Sequence, residues 1–242
     1  MAQNIYDDPT FFEGYSQLNR SVHGLAGAPE WPSIQAILPD LTDKKILDLG
    51  CGFGWFSRWA RANGAGEVLG LDLSEKMIDR AKQETNDDEV EYQIADLDRV
   101  DLPEAVFDLV YSSLAFHYVE DFDDLVRRIY RTLRPQGHLV CTIEHPIFMA
   151  PVSPGWSEGK EGVRIWPLNQ YSVEGKRTTN WLADGVVKYH RTLGTTLNSL
   201  IHNGFRIEHL NEWSPSAEQL EEMPALEEEM DRPMMMIIKA QR

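Results

Sequence analysis

From residue 44 to about 145, short apolar runs alternate with amphipathic stretches, the pattern of a parallel sheet with helices on its faces. Lys45–Leu49 (KILDL) reads as a buried strand, followed by a glycine-rich turn and a helix over 55–63. In that helix Trp55, Phe56, Trp59 and Ala60 recur at helical spacing, and Gly64 and Gly66 stop it. Glu67–Asp72 (EVLGLD) is the second strand. Ser74 is placed to cap the next helix, with Glu75 in its first turn and Met77, Ile78 and Ala81 on one face. Residues 90–95 and 107–112 make the third and fourth strands. A helix over 121–133 carries a continuous stripe of Phe122, Leu125, Val126, Ile129, Tyr130 and Leu133, ended by Pro135 and Gly137. His138–Ile143 is the fifth strand. Consecutive crossover units of this kind predict a doubly wound α/β sheet with helices on both faces.

Residues 146–190 break the rhythm. They hold Pro146, Pro151, Pro154 and Pro167 and three of the seven tryptophans, Trp156, Trp166 and Trp181, without a sustained period. So aromatic a stretch reads as an ordered insertion over an active site rather than as a disordered linker. Regular patterning resumes with a helix over 192–203, a strand over 206–211, a capping-box signature at Ser216 and Gln219, and a last apolar strand over 234–240. The expected organisation is a helical lid (1–43), a core (44–145), an aromatic-rich insertion (146–190) and closing elements of the same core (191–242).

Composition narrows the function classes. With 39 acidic against 23 basic residues the net charge is −16, which repels phosphate backbones, so nucleic acid is not an expected partner. Nine acidic residues and no Lys or Arg fall within 207–231, read as a solvated face. No apolar run approaches the roughly 20 residues of a membrane helix, and the first residues lack a secretory signal pattern. A cytoplasmic protein with no membrane partner is expected. Cys51 and Cys141 have no metal-ligand spacing, so free thiols and no metal site are expected.

The informative stretch is Asp48-Leu-Gly-Cys-Gly-Phe-Gly54. Gly50, Gly52 and Gly54 between a strand and a helix let backbone pass close to a ligand. In the dinucleotide pattern G-x-G-x-x-G the third glycine would fall where Trp55 stands, and Asp48 would repel a pyrophosphate. A carboxylate there suits a ligand with ammonium and sulfonium charge. Asp72 ends the second strand, placed to accept hydrogen bonds from a ribose diol. Asp96 follows the third strand beside Leu97, and Tyr111–Tyr118 (YSSLAFHY) closes the fourth.

On these residues the chain resembles the class I, Rossmann-like S-adenosylmethionine-dependent methyltransferases, in particular the branch that methylates quinones and metabolites. The resemblance covers 44–145 well and the closing elements less specifically. It implies a seven-stranded, mostly parallel sheet whose last strand inserts antiparallel between the fifth and sixth. It implies S-adenosylmethionine as cofactor, held by Asp48, Gly50, Cys51, Gly52, Gly54, Asp72, Leu73, Met77, Asp96, Leu97, Ser112, Ser113 and His117. The segment YSQLNR resembles a lid, which would bring Tyr15 and Arg20 to the methionine carboxylate.

Methyl transfer is an in-line displacement, so the protein mainly supplies position, with a base needed only for a protonated nucleophile. His117, Glu144–His145 and His190–Arg191 lie after the fourth and fifth strands and at the end of the insertion; His117, His145 and His190 are the catalytic candidates. The expected partner is a small-molecule acceptor, with flat substrates suited to the aromatic insertion; acceptor atom and oligomeric state, including a homodimer, are left open. A nicotinamide oxidoreductase and a cofactor-binding protein without turnover are the competing readings.

Overall fold

The computed structural model describes residues 3–242. The chain starts with three short helices, α1 (Pro9–Ser16), α2 (Asn19–Val22) and α3 (Trp31–Gln35). Alternation follows: β1 (Lys45–Leu49), α4 (Trp55–Ala62), β2 (Glu67–Asp72), α5 (Glu75–Glu84), β3 (Val90–Ile94), β4 (Phe107–Ser113), α6 (Phe122–Thr132) and β5 (Leu133–Glu144). After α7 (Pro146–Met149) come a two-residue ladder, β6 (Ser157–Glu158) with β7 (Arg164–Ile165), and a hairpin, β8 (Gly175–Trp181) with β9 (Ala183–His190). The chain closes with α8 (Leu193–His202), β10 (Arg206–Glu212), α9 (Ala217–Glu222), α10 (Glu228–Asp231) and β11 (Met235–Gln241).

The main sheet has seven strands in the order β10-β11-β5-β4-β1-β2-β3. β11 runs antiparallel to both β5 and β10, pairing Ile238 with Cys141 and Leu210, while the pairs from β5 through β3 are parallel. Alternate residues of each central strand feed two cores. Leu47, Val110, Cys141 and Ile238 face the side covered by α6 and α8; Ile46, Leu109, Val140 and Ile237 face the side covered by α3 and α4. Of the stripe, Phe122, Leu125, Val126 and Ile129 are buried in α6, Tyr130 is half-buried, and Leu133 is buried as the first residue of β5.

Caps fix the helix starts. Ser74 accepts from the Met77 N–H, and Ser216 and Gln219 form the reciprocal capping box of α9. The predicted fifth strand is too short, since β5 already begins at Leu133 and runs through Pro135 and Gly137. Among the described residues no helix is long and apolar enough to cross a membrane.

The hairpin β8–β9 is absent from the sequence reading. Its inward positions include Arg177, Lys188 and His190, all buried, so the strands carry no apolar alternation. Arg177 replaces apolar packing with hydrogen bonds to the carbonyls of Ala150 and Val173.

Candidate active site

A cavity of about 490 Å³ opens at the carboxyl ends of β1 to β5, where open α/β sheets bind ligands. The turn after β1 forms its floor. Gly50 and Cys51 both donate their N–H to the Leu71 carbonyl, at 2.7 and 3.0 Å. Gly50, Gly52 and Gly54 all have positive φ, and each glycine has a different reason to lack a side chain. A Cβ on Gly50 would lie 2.4 Å from that of Ala115, and one on Gly54 would lie 2.2 Å from the Tyr92 hydroxyl. At Gly52 a Cβ would meet nothing within 4 Å; that position faces open cavity.

Carboxylates ring the floor. Asp48 is buried and accepts from Ser57 Oγ at 2.7 Å; burial pushes its carboxyl up to about 7. Asp72 accepts from the N–H of Gly52 and of Ser74, both at 2.9 Å, and burial raises it as well. Asp96, with Leu97, borders the cavity at the end of β3, and Leu73, Met77 and Cys51 contribute apolar wall. Burial holds the Cys51 thiol well above the ordinary range, so it stays protonated.

The N-terminal segment closes one side of the cavity. Asp7 docks it onto the start of α5, accepting from Ser74 Oγ at 2.5 Å and from the Lys76 N–H at 3.2 Å. Tyr15 and Arg20 both reach the cavity wall. Both Glu30 oxygens accept from Arg20 Nη2, at 2.9 and 3.1 Å, so the guanidinium is already neutralised.

Four expected residues lie outside the cavity wall. Ser112 is fully buried and donates to the Leu49 carbonyl at 2.7 Å, because adjacent strand residues face opposite ways and Ser113 takes the cavity side. His145 caps α7, accepting from the Ile147 N–H at 3.0 Å, and its Nε2 lies 2.7 Å from Glu212 on β10. His190 Nε2 donates to the Tyr171 carbonyl at 2.8 Å. Gly54 belongs to the packing beneath the turn rather than to the wall.

His117 is the candidate histidine that lines the cavity, and it does not stand alone. Its Nε2 is 3.7 Å from Glu144 Oε1, and the same oxygen accepts from Lys188 Nζ at 2.5 Å. Lys188 comes from the unpredicted β9, so the sequence carried no signal for it. Its ammonium lies over the Trp181 and Tyr118 rings, 5.0 and 5.7 Å from their centroids. Burial, and the nearby cations Lys188 and Arg191, push His117 well below the usual imidazole range, so it is neutral. Tyr6, also from the N-terminal segment, reaches the Tyr118 hydroxyl with its own at 3.2 Å.

The opposite wall is apolar: Leu25, Trp31, Leu114 and Met234 line it, all on the core beneath α3 and α4. Phe148 and Trp166 continue it. Arg232, buried, lies over both rings at 4.8 and 4.7 Å and pairs with Glu229 at 2.9 Å, tying the 146–190 stretch to the segment before β11.

Residues 47–141 match the family described as a methyltransferase domain. The chain is similar to the crystal structure of an S-adenosylmethionine-dependent methyltransferase from Mesorhizobium loti, at 55% identity and a TM-score of 0.88 over 90% of this chain and 100% of that one. An uncharacterized protein of Haemophilus influenzae is 35% identical over 99% of this chain and 97% of its own. A malonyl-[acyl-carrier protein] O-methyltransferase of Enterobacter lignolyticus is 41% identical over 46% of this chain, which spans 43% of that relative's length. The chain belongs to the S-adenosylmethionine-dependent methyltransferases. It is an enzyme whose cofactor is S-adenosylmethionine.

Proposed function

We propose that the chain transfers a methyl group from S-adenosylmethionine to a small-molecule acceptor held in the same cavity. The observation that carries this reading is the set of three carboxylates, Asp48, Asp72 and Asp96, at successive strand ends around the open Gly52 turn. The site fits the cofactor chemically. Asp48 suits its ammonium, Asp72 its ribose diol, Asp96 with Leu97 its adenine edge, and the bare face of Gly52 admits close approach. Bound there, the cofactor supplies a methyl group already activated by a sulfonium.

The chain's own residues then position the acceptor and manage one proton. The apolar wall orients the acceptor's body, while Tyr6 and Tyr15 from the N-terminal segment and the β8–β9 hairpin cover the site against water. His117, neutral and beside Glu144, takes the proton of an acceptor that arrives protonated. The relatives that match about half of this chain act on different acceptors, malonyl-[acyl-carrier protein] and phosphoethanolamine, so their names do not choose one.

Calorimetric titration with S-adenosylhomocysteine tests the reading. Wild-type protein is expected to bind with micromolar affinity, and Asp72→Ala to lose about 1.5–3 kcal/mol, the range of a charged hydrogen bond. A folded wild-type sample that binds neither S-adenosylhomocysteine nor S-adenosylmethionine refutes it.

A further inference from the structure

The charges and unpaired atoms at the acceptor end describe the molecule that belongs there. Among the described residues six acidic ones line the cavity, Asp48, Asp72 and Asp96 at the cofactor end and Glu30, Asp98 and Glu144 beyond it, against two basic ones, Arg20 and Lys188. Both basic groups are already paired, Arg20 with Glu30 and Lys188 with Glu144. Among the described residues the lining therefore offers an anionic acceptor no unpaired cation, and its desolvation would go uncompensated.

Several buried polar atoms of lining residues are left without partners, Ser21 Oγ, Trp55 Nε1 and Thr179 Oγ1 among them, and two of the others are acceptors that sit side by side on His117 and Glu144. Glu144 gives Oε1 to Lys188, and its Oε2 has none. His117 presents Nε2 towards Glu144, which favours the proton on that nitrogen, and its Nδ1 has no partner either. Buried polar atoms are normally satisfied, so a ligand that supplies donors to both is implied. A hydroxyl has one hydrogen to give; a primary amine has two and its ammonium three. The Tyr118 and Trp181 faces that already hold the Lys188 ammonium add a surface suited to a second cation.

We propose that the methyl acceptor is an amine with an apolar body, its nitrogen held between Glu144 Oε2 and His117 Nδ1, and that anionic acceptors are rejected. This rests on the cavity being the methyl-transfer site. An ammonium N–H gives its proton to His117 Nδ1, which frees the nitrogen lone pair. That pair forms the new N–C bond as the methyl carbon's bond to sulfur breaks, its electrons staying on sulfur, which becomes a neutral thioether. The product is a methylated ammonium, and His117 returns its proton to solvent.

The test uses full-length protein saturated with S-adenosylhomocysteine and three probes of matched shape: phenethylamine, phenethyl alcohol and phenylpropanoate. Calorimetry is expected to show the amine binding at least about tenfold tighter than the carboxylate, with the alcohol between. Glu144→Gln is expected to abolish that preference while S-adenosylhomocysteine affinity stays within about twofold, which also shows that the variant is folded. With S-adenosylmethionine in place of the product, mass spectrometry should find methylation on the amine only. Equal binding of amine and carboxylate, binding of neither, or a preference that survives Glu144→Gln overturns the proposal. Failure of S-adenosylhomocysteine itself to bind would instead refute the underlying reading of the site.

Discussion

Burial behind Ser57 pushes the Asp48 carboxyl up to about 7 from an ordinary 3.8, and this ties stability to cofactor binding. The folded state holds the Asp48 proton more tightly than the unfolded state does. Its favourable contribution is therefore complete below about pH 4, declines as pH rises towards 7, and is level above that. Between pH 5 and 8 the loss is about 3 kcal/mol, taking about 1.4 kcal/mol for each pH unit up to 7. Asp48→Asn removes the titration. In urea unfolding it should gain on the wild type by about that much on going from pH 5 to pH 8, while losing affinity for the cofactor at pH 8. A wild-type-to-variant difference that does not change with pH would show that Asp48 is ionised throughout. At this scale the floor carboxylates were legible because Asp48, Asp72 and Asp96 each stand at a strand's end, where spacing alone locates them. The acceptor end was only partly so. His117 could be named, but its partners Glu144 and Lys188 meet through an insertion, and nothing local separates His117 from His145 and His190. Those two are consumed by Glu212 and Tyr171, contacts of 67 and 19 residues in sequence separation.

The turn from β1 into α4 shows how one element can divide packing from binding. Gly54 heads α4 with φ +73° and sits against the Tyr92 ring, whereas Gly52, with φ +52°, faces open cavity. Gly54→Ala combines a left-handed conformation with a clash against a buried tyrosine, so it is expected to cost roughly 2–3 kcal/mol or more. Gly52→Ala carries the conformational cost alone, about 1 kcal/mol, but places a methyl where the ligand approaches. Thermal melts and S-adenosylhomocysteine titrations on both variants should therefore separate. Gly54→Ala melts much lower; Gly52→Ala melts near wild type and loses at least about tenfold in affinity. A Gly52→Ala variant that binds normally would mean that the ligand does not pass over this turn. Elements whose apolar period matches their burial, such as α6 and β1, were readable from the chain. The β8–β9 hairpin was not, since its inward Arg177, Lys188 and His190 invert the hydrophobic alternation by which a strand is recognised. The same inversion gives the cavity the cation that pairs with Glu144.

For the whole molecule the decisive quantity is the charge of −16, spread over a chain whose sequence pI is about 4.8. Folding brings these charges closer together than they are in the unfolded chain, and self-repulsion opposes compaction. Part of the repulsion is local: Glu218, Glu221 and Glu222 on or beside α9, and Glu227 and Glu228 before and on α10, have few basic neighbours beyond Arg164 and Arg232. Sodium chloride screens such exposed charges within about 10 Å at 0.1 M. The ion pairs at the cavity, Arg20 with the buried Glu30 and the buried Lys188 with Glu144, are largely shielded from solvent and much less screened. Raising sodium chloride from about 0.02 to 0.3 M should therefore raise the melting midpoint by a few degrees, since about 1 kcal/mol moves a domain of this size by about 2–4 °C. The same field concentrates cations near the cavity mouth, so the association rate of an amine ligand should fall over that salt range while its dissociation rate changes little. Differential scanning calorimetry and stopped-flow binding at matched salt read the two effects separately. A midpoint that falls with salt would mean that surface ion pairs, not self-repulsion, dominate the electrostatic balance; an association rate indifferent to salt would confine the charge selection to the buried trio of His117, Glu144 and Lys188.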